Sequence, residues 1–183
     1  MLNILQVILW FIDLHIGLVT LVVGFFVIYL YVHQKNDTKR SSASLILQEI
    51  RYAEKQIQNA KKNNYNFYLA DKLLPTSSWH SNINLFIKDL KESEIDLVSE
   101  FYCHAAYLDV VIEKISNKKN DIIIPVQSGI GSDGIPVKPN LIQFELNSNQ
   151  ILKDVAEKIN FIYNTPAVDR LCIISERKYW LIF

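Results

Sequence analysis

Glu100 and His104 stand four residues apart in a stretch of helical periodicity, so they share a face and could hold a metal ion or pass a proton. A metal site takes about three or four ligands. Cys103 and Asp109 are the nearest further candidates, but no His-Glu-x-x-His or Cys-x-x-Cys spacing completes a set. A hydrogen-bonded surface pair is the expected arrangement. Residues 129–134 read GIGSDG, the spelling of a dinucleotide loop whose glycines bring backbone amides to a pyrophosphate at a helix N-terminus. Here IPVKP follows, and Pro136 with Pro139 opposes a long helix after Gly134. The loop is expected to join two strands instead. His80, beside Trp79, reads as a helix-start residue, and no serine sits in a Gly-x-Ser-x-Gly elbow. These residues predict no catalytic site, no metal and no cofactor.

Asp13 and His15 carry the other chemistry, because of where they sit. Residues 16–32 are an unbroken apolar run, IGLVTLVVGFFVIYLYV, and Lys35, Lys39 and Arg40 follow it closely. Trp10 and Tyr29 are 19 positions apart. On a helix that spacing is about 28 Å, which suits aromatic belts on the two faces of a bilayer. The expectation is one membrane crossing from Trp10 to Tyr29, with Asp13 and His15 about a turn inside one interface, where they snorkel toward water or line a path. Gly17, Thr20 and Gly24 offer small side chains for close helix packing in the membrane. No basic start or small-residue cleavage site marks the segment as a signal peptide. Of 19 basic and 19 acidic residues only Asp13 precedes Lys35. The positive-inside rule then places the N-terminus outside and the rest of the chain in the cytoplasm, at the inner membrane of the cell. The near-neutral balance excludes a nucleic-acid footprint. On the cytoplasmic side, Cys103 and Cys172 are expected to be buried, reduced thiols.

Residues 1–34 are thus read as an anchor, 35–120 as a helical domain and 121–183 as a smaller unit. Ser41, Ser42 and Ser44 offer N-caps for a helix whose seam is Ile46, Ile50, Ala53, Ile57 and Ala60. The turn-prone KKNNYN at 61–66 ends it. Behind Pro75, residues 76–90 read as a second helix with Trp79, Ile83, Phe86, Ile87 and Leu90 inward. Ser93 and Asp96 cap a third, whose seam is Val98, Phe101, Ala105, Leu108, Ile112 and Ile115, closed by SNKKND. After Asp121 the runs IIIPV and LIQFEL read as strands, 148–164 as a helix with Ile151, Val155, Ile159 and Ile162 on one face, and LCIIS with YWLIF as a closing hairpin. The fold class is mainly α: an N-terminal transmembrane helix, a cytoplasmic antiparallel helical hairpin or bundle, and a C-terminal small α+β unit with short antiparallel strands.

The segments SLILQEIRYAEKQI, LLPTSSWHSN and SEFYCHAAYLDVVI resemble the soluble part of uncharacterised small bacterial single-pass membrane proteins. The matching residues are Leu47, Glu49, Ile50, Pro75, Trp79, Phe101 and Tyr102, and Ala53 departs from the pattern's Asn. The resemblance spans about residues 10–116. It implies an anchored helical domain and names no activity. The expected function is a membrane-anchored interaction or oligomerisation module, non-catalytic, whose partners are the lipid bilayer and a second copy or another protein. The alternative is a ligand-gated oligomeric membrane effector or pore-forming protein, with a sensing C-terminal unit and Asp13 and His15 along its path. No small-molecule ligand is specified.

Overall fold

In a computed structural model the described residues are 2–65, 67, 72–128 and 138–176. The first helix, α1 (Leu2–Lys62), is a single run of 61 residues, about 90 Å long at ~1.5 Å per residue. Its apolar stretch has a mean hydropathy of 2.2, and none of that window is buried. It is long and apolar enough to cross a membrane. The same helix then continues without a break into the core of the domain. The serines at 41, 42 and 44 therefore cap nothing; Ser42 Oγ instead donates to Asn82 Oδ1 at 3.0 Å. No Gly or Pro lies between Gly24 and Pro75, and a helix once nucleated propagates through polar residues that do not stop it. The end comes where expected, with Asn64 and Tyr65 at φ 52° and 59° and the Tyr65 N–H returning to the Ala60 carbonyl at 2.7 Å. Asn tolerates this left-handed stop.

The chain then comes back along α1. Residues 76–90, expected as one helix, form a short α2 (Ser78–Asn82), a 3-10 turn (Ile83–Leu85) and further turns. Trp79, Phe86 and Leu90 are buried as the periodicity demands, but Ile87 is 56% exposed. This descent ends beside the start of the domain, where Asp89 pairs with Lys39. From there α3 (Glu92–Ser128) rises parallel to α1, so the expected antiparallel hairpin is absent: Asp89 meets Lys39, and Tyr102 meets Ile46 and Glu49. The α3 seam is as expected, with Val98, Phe101, Ala105, Leu108 and Ile115 buried and Ile112 half-buried. Its N-terminus is closed by Glu94, which accepts the Lys91 N–H at 2.8 Å, in place of Ser93 and Asp96.

No strand occurs among the described residues, which corrects the α+β reading of 121–183. SNKKND does not end α3; the IIIPV segment continues it. LIQFEL lies in α4 (Lys138–Ala156) and LCIIS in α5 (Pro166–Glu176). The weak β preference of such residues yields to position in the bundle. In α4 Ser148, Leu152 and Ala156 are buried at four-residue spacing, while Ile151 faces solvent, and Ile159 and Ile162 fill the core from the loop after it. In α5 Pro166 takes the first helical position, where its missing N–H costs nothing, and Ala167, Val168, Leu171 and Ile174 are buried. YWLIF and GIGSDG lie outside the described residues. A single cluster joins α1, α2, α3, α4 and α5, so residues on both sides of position 120 share one core. The Glu54 carboxylate at the start of the α5 approach and Arg40 at the α5 end show that α5 runs antiparallel to α1.

Candidate functional site

The buried carboxylates of the domain hold loops to helices. Glu49, on the inner face of α1 and only 5% exposed, accepts the Thr76 N–H at 3.0 Å, Thr76 Oγ1 at 2.5 Å, the Ser78 N–H at 2.9 Å and the Tyr102 hydroxyl at 2.9 Å. Ser77, at φ 51°, turns the backbone so that the N–H groups on either side of it reach one carboxylate. Burial pushes the Glu49 carboxyl up, but its donors, Thr76 foremost, outweigh this and hold it below the usual range. Burial, and then the Glu49 charge, push the Tyr102 hydroxyl up, so it stays a donor. Glu54 accepts the Ile162 and Tyr163 N–H groups at 2.6 and 2.9 Å. Asp109 accepts those of Leu73 and Leu74 at 2.8 and 3.1 Å, although burial still leaves its carboxyl above the usual value. Glu94 pairs with Arg170 at 3.1 Å.

These bonds reassign the residues that spacing marked as chemical. Asp109 belongs to a loop clamp, apart from Glu100, which is exposed, and His104, which is half-buried on α3. Among the described residues no group of three His, Cys, Asp or Glu side chains could hold a metal ion. Cys103 is exposed and Cys172 half-buried, not the buried thiols expected, and neither forms a disulfide. Leu47, Ile50, Trp79, Phe101 and Tyr102 lie in the buried cluster, and of these Tyr102 bonds Glu49. What the spacing did not reveal is that Glu49 gathers Thr76, Ser78 and Tyr102, because these donors lie 27 to 53 residues away.

One face of α1 beside the bundle is left uncovered. Thr38, Ser41, Leu45, Gln48, Tyr52 and Lys55 alternate by three and four, and all are exposed or half-exposed, whereas Ile46, Glu49, Ile50, Ala53 and Ile57 are buried. Cavities open along that face, two of them reaching Leu45. One, about 270 Å³, lies between Leu45, Gln48, Tyr52, Pro75 and Thr76. The other, about 510 Å³, runs from Asp37 and Arg40 to Leu45 and touches Ser175. Counting back by sevens from Leu45 gives Thr38, Tyr31, Gly24 and Gly17, with Thr20 and Asp13 at the intervening positions. A side chain added at Gly17 or Gly24 would meet nothing within 4 Å. The Thr20 hydroxyl bonds the Ile16 carbonyl of its own helix at 2.8 Å. His15 is exposed on α1, and the side chain of Asp13 lies outside the described residues. No protein-family model, curated protein or solved structure matches the chain.

Proposed function

We propose that this chain is a membrane-anchored interaction module that works as a parallel pair, with the uncovered face of α1 as its seam and the domain in the cytoplasm. The observation that carries the reading is the continuity of α1: one helix holds the apolar span and the uncovered Leu45–Tyr52 stripe. A bilayer holds every copy at the same height and in the same direction. Identical stripes on two copies then face each other without further adjustment. A stripe with a seven-residue repeat drifts by about 20° per heptad on a straight helix, so the pair must wind left-handed to stay in contact. Gly17, Thr20 and Gly24 admit close approach within the span, and the 270 Å³ cavity beside Pro75 receives an apolar side chain outside it.

A binding role, rather than turnover, is supported by how the buried carboxylates are used. Buried Glu49 and Glu54 and half-buried Asp109 all accept backbone N–H groups of the loops, Glu49 taking the Thr76 and Tyr102 hydroxyls as well. The gated-path alternative draws on the same register. Asp13 falls on the stripe, whereas His15 lies about half a turn away from Gly17.

Leu45→Glu tests the pairing in the full chain reconstituted in lipid nanodiscs. Leu45 is 41% exposed in one copy, so the melting temperature of the domain should hardly change. Loss of its burial, with like charges placed opposite, should lower the paired fraction about tenfold or more by mass measurement. A wild-type chain that is strictly monomeric, or a variant that pairs as well as wild type, would refute the reading.

A further inference from the structure

Gln48 is the polar residue between the two large apolar levels of the α1 stripe. Leu45 stands below it and Tyr52 above, Gln48 itself is exposed, and it lines both of the cavities that reach Leu45. Its amide makes no hydrogen bond among the described residues. Gln143 and Gln150 of α4 differ in this, since each donates one turn along its own helix, to Asn147 and Asp154. Other polar members of the stripe have outlets of their own. The Thr38 hydroxyl donates to the Gln34 carbonyl at 2.9 Å, and Lys55 carries its ammonium toward water on a long stem.

The walls around Gln48 offer its amide nothing. Beside it the cavity of about 270 Å³ is bounded by Leu45, Tyr52 and Pro75, and by Glu49 and Thr76. Glu49 Oε1 already accepts the Thr76 N–H and hydroxyl, and Oε2 the Ser78 N–H and the Tyr102 hydroxyl. A carboxylate has about four lone-pair sites, so both oxygens are full. In a single copy the amide binds water. When a second α1 lies against the stripe, Leu45 and Tyr52 of both copies close over this level and shut the water out. One amide buried there alone carries the full cost of its lost solvation, whereas two opposite each other are satisfied. The bilayer holds both copies at one height, so position 48 stands opposite position 48.

On the paired reading of α1, on which this rests, we propose that Gln48 determines the specificity of the seam. Its amide bonds the amide of Gln48 in the second copy, so α1 selects another copy of itself over a helix that presents an apolar residue at that level. A single polar layer in an apolar seam fixes register at a cost in stability. A shift of register leaves two amides without a partner, and a mixed pair leaves one.

Gln48→Met tests this, because it keeps the length of the side chain and removes the amide. The full chain, with Cys172→Ala, is labelled with donor or acceptor dye at the exposed Cys103 and reconstituted in phosphatidylcholine vesicles over a range of dilutions. Energy transfer is read for wild type with wild type, Gln48→Met with Gln48→Met, and the mixture of the two. Both matched combinations should pair, the variant at least as tightly as wild type, because replacing both polar groups by apolar ones of the same shape costs little. The mixed combination should associate about tenfold more weakly. Gln48→Leu, of different shape, should follow Gln48→Met, and both should melt like wild type, since Gln48 is exposed in one copy. A mixed combination as tight as the matched ones would overturn the proposal and leave the pairing standing. A variant that melts like wild type and does not pair with itself would overturn it too, because the amide would then supply attraction and not selection. Absence of transfer between wild-type chains at every dilution would overturn both the proposal and the pairing.

Discussion

Glu49→Ala is expected to destabilise the domain by about 3 to 5 kcal/mol, since it strands buried donors around an emptied site. The Thr76 and Ser78 N–H groups and the Tyr102 hydroxyl would lose their acceptor together. For a domain of this size the melting temperature should fall by roughly 10 °C or more. Glu49→Gln keeps one acceptor oxygen but turns an NH2 group toward donors, so its cost should be smaller though still clear. The acid limb of the stability curve separates charge from packing. A carboxyl held below its ordinary value contributes stability that is complete above the unfolded value, about 4.3 for Glu, and is lost as pH falls through the folded value. Wild type should therefore lose stability below about pH 4, and Glu49→Gln should lack that share of the loss. Asp109 has the opposite sign, because its raised carboxyl favours the fold at low pH. It cannot supply the acid limb. Thermal melts of both variants between neutral and acid pH check this, and a Glu49→Ala melt equal to wild type would sink the account of the clamp.

Trp79→Ala is the second large effect, again about 3 to 5 kcal/mol. Trp79 is 1% exposed. Its ring stacks on Phe86 with centroids 6.1 Å apart and lies 6.4 Å from Tyr102, while Nε1 donates to Ser99 Oγ at 2.9 Å. Truncation opens a cavity between the returning segment and α3, at the place where Tyr102 is aimed at Glu49. Trp79→Phe keeps most of the packing and drops the Ser99 bond, so it should cost only about 1 kcal/mol beyond the lost ring volume. Urea titration followed by near-ultraviolet circular dichroism separates the two. Domains are stable by only about 5 to 15 kcal/mol, so Trp79→Ala combined with Glu49→Ala should leave little folded protein at physiological temperature. Because Trp79 and Glu49 share Tyr102, the two losses should not add in full.

Much of the core was legible from spacing alone. Ile46, Ile50, Ala53, Ile57, Val98, Phe101, Ala105 and Leu108 repeat by three and four because helices bury one stripe, and all eight are buried. Trp79 and Phe86 are buried as expected too, although the helix meant to carry them is mostly turns. The continuity of α1 was harder to see. HQKNDTKRSS at 33–42 looks like a linker with caps, yet it contains nothing that halts a helix already started on either side. After position 120 the helix expected over 148–164 overlaps α4, whereas IIIPV, LIQFEL and LCIIS read as strands because of their β-branched and apolar composition. The cues that outweigh composition were local ones, Thr165 and Pro166 at the start of α5. The clamps were illegible for a different reason. A single Glu in a helix does not announce that its acceptors will be used by a loop far along the chain, and only the fold brings Thr76, Ser78 and Tyr102 to Glu49.

Pairing along α1 is tested most directly by disulfide scanning of the full chain in membranes, with cysteines placed singly from 38 to 59 after removal of Cys103 and Cys172. Cross-linked pairs are expected to peak at Thr38, Ser41, Leu45, Gln48, Tyr52 and Lys55, with minima at the equally exposed Ser44, Arg51 and Gln58. Cross-linking that is absent throughout, or uniform around the exposed side chains of the helix, would contradict a paired α1.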